Sequence, residues 1–276
     1  MHYEIADELD KATRFCATLA RAKTAEFMNR GFVPRHSDLT ATVSFVGLGD
    51  RTYAVTAYHV VSAFKELALE DGIDGENYFI PTKPGRILHA PFVRPVPRLP
   101  FRDPDVAMMP IPRDLPALIG KEIYQLRDEG MPRSIRVALA AGFPTAAKRP
   151  TGNDPYAAIE LPGVSLLAEG VESDVDSDQM QFYSEVRDNF GNRLTYDGDI
   201  SGMSGGPVFW SDRERHGLLG FVKQSMADGS QSDGRRERVS LICQRTSYET
   251  FALWADYVDR EYPRRRQQLN RKAPNT

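Results

Sequence analysis

Apolar and polar residues change their period along the chain, and the changes predict its elements. Over the first 30 residues Ile5, Leu9, Ala12, Cys16 and Leu19 recur at spacings of four, three, four and three, which predicts a helix with one apolar stripe. Such a stripe either packs on the body of the protein or docks a partner. From Leu39 the period shortens. "ATVSFVGLG" and "RTYAVTAYH" are rich in β-branched and aromatic residues, and only Gly49 and Asp50 separate the strand ends, a good two-residue hairpin turn. His59 to Glu70 reads as a short helix. The prolines of "HAPFVRPVPRLPFRDPD" exclude a long helix and suit loops and edge strands, and "DVAMMPI" reads as a short buried strand.

Further strands are predicted in "SIRVALAAGFP", "QMQFYSEV", "PVFW", "LLGFVKQ" and "RVSLICQRT", with turn clusters at "DNFGN" and "SDRERHG". "SYETFALWADYVDREY" predicts a terminal helix, capped by Ser247 or Thr246, with Phe251, Trp254 and Val258 on one face. The closing residues 263–276, "PRRRQQLNRKAPNT", read as a basic, mobile tail. Many short strands framed by two helices predict an all-β core, barrel or sandwich, rather than βαβ units. The expected division is a helical extension over 1–38, a β domain with its C-terminal helix over 39–262, and the tail.

Composition narrows the function classes. The 276 residues carry a formal net charge of −3, so neither nucleic acid nor an anionic membrane is an expected partner. No run of 18 apolar residues predicts a spanning helix. Cys16 and Cys243 alone make neither a disulfide framework nor a zinc site, and no metal or cofactor is predicted. The charged start "MHYEIADELDKATRF" lacks the apolar stretch of a secretory signal, so a reducing, cytoplasmic setting is the expectation.

Chemistry concentrates in "GDISGMSGGPVFW", where Gly202, Gly205, Gly206 and Pro207 surround Ser204. A serine hydroxyl needs a base, a group that orients the base, and donors for the oxyanion it creates. Glycines let consecutive N–H groups turn to one point. Gly202-Met-Ser204-Gly-Gly206 also fits the strand-to-helix elbow of α/β-hydrolases, whose acid and histidine follow the serine. Here the sequel is a strand and a turn, and the single later histidine, His216, comes only 12 residues on, which sets that reading aside.

Upstream lie the missing groups. "TAYHVV" puts His59 between a strand and a helix, and "DPDVAMMPI" puts Asp105 at the head of a strand, 46 residues after His59 and 99 before Ser204. Asp103 is the nearest competitor but is set off by Pro104, and His2, His36, His89 and His216 have no comparable context. With "GMSGGP", these blocks resemble the chymotrypsin/trypsin-like serine peptidases, and the disulfide-free chain looks most like their compact bacterial members. The resemblance covers roughly Thr40 to Ala252. It implies two six-stranded antiparallel β-barrels, about 39–115 and about 133–246, with an added N-terminal and a C-terminal helix. It further implies a catalytic triad of His59, Asp105 and Ser204, an oxyanion hole from the N–H groups of Gly202 and Ser204, and an intracellular endopeptidase acting on protein or peptide substrates. The expected specificity pocket is Gly198 and Asp199 facing Lys223, Gln224 and Ser225, with Lys223 where a serine supporting the aspartate is common. A partner dedicated to the N-terminal helix would restrain such an enzyme. The competing function is a catalytically silent binding module on the same fold.

One departure makes a prediction. Digestive members have an acid just before the nucleophile, which pairs with a newly cut N-terminal amine; this chain has Met203. Full-length, unclipped protein is therefore expected to turn over a reactive ester. Activity that appears only after N-terminal cleavage would contradict this.

Overall fold

The computed structural model describes residues 12–21, 39–70, 77–80, 86–89, 91–96, 103–128, 130, 135, 137–145, 149–150, 159–160, 163–169, 178–186, 200–212, 215–227 and 238–272. In chain order the first part holds β1 (Cys16–Arg21), β2 (Thr40–Leu48), β3 (Arg51–Thr56), α1 (Tyr58–Glu70), β4 (Asn77–Ile80), β5 (Arg86–His89), β6 (Ala107–Pro110), α2 (Leu115–Leu118) and β7 (Tyr124–Gln125). The second part holds β8 (Val137–Gly142), β9 (Arg149–Pro150), β10 (Ile159–Glu160), β11 (Val164–Glu169), β12 (Gln179–Val186), β13 (Pro207–Ser211), β14 (His216–Ala227), β15 (Arg238–Arg245) and α3 (Tyr248–Lys272).

The first sheet runs β5-β4-β1-β2-β3-β6, with β7 added parallel to β2. It has seven strands rather than the expected six, and its path is open among the described residues. The β2–β3 hairpin turns at Gly49 and Asp50, as the pattern predicts, with Leu48 opposite Arg51. The second sheet pairs in a ring, β8-β11-β12-β15-β14-β13, and closes as a six-stranded barrel.

The N-terminal segment corrects one expectation. Thr13–Phe15 form a single 3-10 turn, and Cys16–Arg21 form a strand instead of continuing a helix. β1 pairs with β2 along its length, Cys16 opposite Ser44 and Ala20 opposite Thr40, and with β4 at its end. Pairing on both edges outweighs the helical spacing, to which this strand contributes Cys16 and Leu19. Both are fully buried, so they cannot belong to a docking stripe. Ile5 and Leu9 lie outside the described residues, as does the "DNFGN" turn.

Three apolar clusters organise the interior. One fills the first sheet beneath α1, with Leu19, Val43, Phe45, Val61, Phe64 and Phe92. A second fills the barrel, with Leu166, Val208, Trp210, Leu219, Leu241 and Met203. The third joins them through α3, whose Phe251, Trp254 and Val258 reach Val46, Tyr53 and Met108 on one side and Phe209, Leu218 and Phe221 on the other. Ser247 caps this helix, its Oγ accepting from the Thr250 N–H at 3.1 Å. On the helix's outer side, Arg51 donates to Asp256 at 2.8 Å and to Asp259 at 2.9 Å, and the Tyr53 hydroxyl donates to Asp259 at 2.8 Å.

The supposed tail is helical too. α3 continues through Pro263 to Lys272. Proline removes one helical N–H, but the arginines and glutamines that follow are good helix formers, and Glu261 pairs with Arg264 at 3.0 Å. Among the described residues no helix is long and apolar enough to cross a membrane.

Phe251 is fully buried, with ring contacts to Tyr53, Phe221 and Trp254. Phe251→Ala is expected to lower unfolding free energy by about 3–5 kcal/mol, read from urea denaturation. A loss below about 1 kcal/mol would show that α3 does not brace the two sheets.

Candidate active site

Each of the three predicted side chains sits where an element starts or stops. β3 ends at Thr56 and α1 begins at Tyr58, so His59 lies in the first turn of the helix. Asp105 lies just before β6, and β6 pairs with β3, Thr56 opposite Ala107. That pairing brings acid and imidazole together from positions 46 residues apart: His59 Nδ1 is 2.7 Å from Asp105 Oδ2, and the His59 N–H donates to Asp105 Oδ1 at 2.9 Å. On the other face of the ring, His59 Nε2 is 3.1 Å from Ser204 Oγ. An ionised Asp105 accepts from Nδ1–H, which leaves Nε2 unprotonated and able to accept from the serine.

The electrostatics agree with that tautomer. Burial of Asp105 by itself raises its pKa, but the hydrogen bonds and charge of His59, aided by the Lys223 cation, outweigh burial and hold it below the ordinary carboxylate value. The Asp105 side chain is 14% exposed, whereas His59 is 50% exposed. The two thiols are no rival nucleophiles. Both are buried, and burial pushes Cys16 up to about 12 and moves Cys243 in the same direction.

Ser204 stands in the turn between Ile200 and Pro207. Ser201 C=O accepts from the Thr145 N–H at 2.6 Å, Met203 C=O from Gly206 N–H at 2.8 Å, and Val222 C=O from Gly205 N–H at 2.8 Å. Two glycines are needed here for different reasons. Gly202 has φ +99°, and a Cβ there would meet Phe143 O at 2.7 Å and Thr145 Oγ1 at 2.8 Å. Gly205 has φ +89°, and its Cβ would run into the backbone of Thr42 and Thr56 on the first sheet. Met203 anchors the turn from below, fully buried in the barrel core.

The remaining predicted positions divide. Lys223 and Gln224 lie on β14, and the Lys223 C=O is 3.3 Å from Ser204 Oγ. Lys223 acts on Asp105 as a neighbouring cation, while the carboxylate is hydrogen-bonded by the His59 backbone N–H and ring. Ser225 is also on β14. Gly198 and Asp199 lie outside the described residues. Asp103 is turned to Arg94 at 3.6 Å.

Several residues escaped the sequence reading. Arg94 donates to the carbonyls of Pro104 at 3.0 Å and Asp103 at 3.2 Å, and lies 4.3 Å from the Tyr58 ring centre, so it braces the flanks of both Asp105 and His59. Gln244 accepts from the Asp105 N–H at 3.2 Å and donates to Asp178 C=O at 2.8 Å. Thr42 and Ser44, read only as strand formers, bond into the serine turn. No local motif marks any of these: Arg94 reaches 9 and 10 residues along the chain, and Gln244, Thr42 and Ser44 act across far longer separations.

A carboxylate, an imidazole and a hydroxyl aligned between two β-sheets, beside a glycine turn, define the architecture of the two-sheet serine peptidases. The family model of the trypsin-like peptidase domain matches residues 41–218. The chain belongs to that family. No curated protein matches it. Among solved structures, the thermostable serine protease AL20 from an extremophilic microorganism is similar with a TM-score of 0.44 at 12% identity, covering 89% of this chain and 96% of its own. Protease Anisep from Arthrobacter nicotinovorans has a TM-score of 0.42 at 10% identity, with 89% and 97% covered. Kallikrein-related peptidase 10 has a TM-score of 0.45 at 12% identity, with 90% and 95% covered.

The lowered Asp105 pKa has a stability consequence. Its contribution is present above the ordinary carboxylate range and is lost as pH falls through the depressed folded value. Asp105→Asn is therefore expected to be less stable than wild type at pH 7, with the gap in urea midpoints closing towards pH 3. A gap that is constant with pH would mean that the Asp105 charge does not support the fold.

Proposed function

We propose that the protein is a serine endopeptidase in which Ser204 is the nucleophile, His59 the general base and Asp105 the group that orients and charges the base. The observation that carries this reading is the single imidazole bridging the carboxylate at 2.7 Å and the hydroxyl at 3.1 Å. As Ser204 Oγ attacks a peptide carbonyl carbon, its proton passes to His59 Nε2, and Asp105 stabilises the imidazolium that results. The tetrahedral intermediate collapses as His59 gives that proton to the leaving amine. Water then attacks the acyl-enzyme by the same relay in reverse.

The developing oxyanion would be met by the N–H groups of Gly202 and Ser204. Among the described residues neither has a protein acceptor. A peptide's N–H and C=O point in opposite directions. The bonds holding Ser201 C=O and Met203 C=O therefore aim those two N–H groups away from the protein's own carbonyls. Each such donor contributes about 3 kcal/mol to the transition state. Met203, packed in the barrel core, holds the turn by apolar contact where an ion pair would otherwise be made, which supports activity without an N-terminal cut.

The substrates are proteins or peptides, as for the family. The strand carrying Lys223, Gln224 and Ser225 would line one wall of the specificity pocket. The two free, buried thiols support work in a reducing compartment inside the cell. A silent binding module is the competing function, and the intact set of three reactive groups argues against it.

A fluorophosphonate probe separates the two. The peptidase is expected to take the label on Ser204, to lose it entirely in Ser204→Ala, and to lose about 10⁴-fold in kcat in Asp105→Asn. Folded wild-type protein that never takes the label would support the binding module.

A further inference from the structure

The strand β2 carries hydroxyls at every second position, Thr40, Thr42 and Ser44, so they share one face. All three are buried, at 2%, 0% and 1% exposure. None bonds along its own strand. Thr40 Oγ1 lies 3.3 Å from Thr145 Oγ1. Thr42 Oγ1 donates to Gly202 C=O at 2.7 Å, and Ser44 Oγ donates to Gly205 C=O at 2.7 Å.

Thr42 is the centre of this set. Its Oγ1 also accepts from the Phe143 N–H at 3.0 Å, which occupies a lone pair and directs the hydroxyl proton to Gly202. Its backbone N–H donates to Ser204 C=O at 3.1 Å. Its backbone C=O accepts from Thr56 Oγ1 at 2.8 Å, on the strand that leads to His59. One residue of the first sheet thus holds the carbonyls on both sides of the Met203–Ser204 peptide, and Ser44 holds the next one. Every peptide that sets the direction of Ser204 Oγ and its N–H is tied down, and several of the ties come from the opposite sheet.

We propose that Thr42 and Ser44 are positioning residues for the reaction: their hydroxyls fix the nucleophile turn of the second sheet against the strand pair that carries the base. This rests on the peptidase reading. The hydroxyls touch no substrate, so they act through the placement of Ser204 and its N–H, which matters in the transition state more than in substrate binding.

The test compares full-length wild type with Thr42→Val, Thr42→Ser and Ser44→Ala, using fluorophosphonate labelling rates and kcat and KM on one peptide substrate. Thr42→Val keeps the size and the backbone bond but loses the hydroxyl. Its labelling rate and kcat are expected to fall by about 10- to 100-fold, with KM within about twofold, and Thr42→Ser is expected to restore both. Ser44→Ala is expected to fall in the same direction, and it decides the matter if Thr42→Val does not fold. Folded variants that label as fast as wild type overturn the inference, as does a Thr42→Ser protein as slow as Thr42→Val, or a change confined to KM. Wild-type protein that takes no label overturns the peptidase reading and this inference together; equal labelling of wild type and variants overturns this inference alone.

Discussion

The distance from His59 Nε2 to Ser204 Oγ, 3.1 Å, spans two sheets that share no strand, and everything else about the site depends on the seam between them. Asp105 and His59 come from one sheet, where β3–β6 pairing fixes their separation. Ser204 comes from the other. A small slide of one sheet over the other would leave the Asp105–His59 pair intact and lose the contact to Ser204. Several of the buried polar side chains lie along this seam. Thr42, Ser44 and Thr56 are all buried and all bonded either to the serine turn or to the strand that faces it. Neutral hydrogen bonds contribute modestly when made, but each leaves a costly orphan when broken in a buried place. A slide would break several at once, and this is what makes the seam stiff.

The C-terminal helix braces the same junction from outside. Its apolar face inserts between the sheets, while Arg51 and Tyr53 grip Asp256 and Asp259 from β3. The strand held by this polar grip ends at Thr56, three residues before His59. The grip and the hydroxyl set therefore bear on the same strand from opposite ends. Arg94 extends the bracing to the loop before Asp105, bonding the carbonyls there and lying over Tyr58. Asp105, His59 and Ser204 are each held by neighbours outside the three.

His59, Asp105 and Ser204, which the fold brings within hydrogen-bonding distance, were legible because each lies in a short block of distinctive letters. The hairpin, α1 and most strands of the second sheet were legible because their apolar periods are local. The strand Cys16–Arg21 was not. Its side chains fit a helical spacing as well as an extended one, and the choice is made by partners at Thr40–Ser44 and Tyr78–Phe79, which no local window contains. The helical course of residues 263–272 was not legible, because this basic stretch opens on Pro263 and carries no apolar stripe. The hydroxyls of "TATVS" were visible but mute. They read as strand formers, and their partners stand about 160 residues away, 160 for Thr42 and 161 for Ser44.

The bonds that shape the nucleophile turn share a further property: each joins a peptide group to another peptide group or to a hydroxyl. None of these groups titrates in the working range of a protein, and neutral pairs are little affected by dissolved salt. The shape of the turn is thus insulated from the ionic composition of its surroundings. The charged grip of Arg51 on Asp256 and Asp259 is half exposed and open to screening. The molecule therefore separates two duties: salt can tune how firmly the outer helix is held, while the hydrogen-bonded shape of the Ser204 turn does not depend on it.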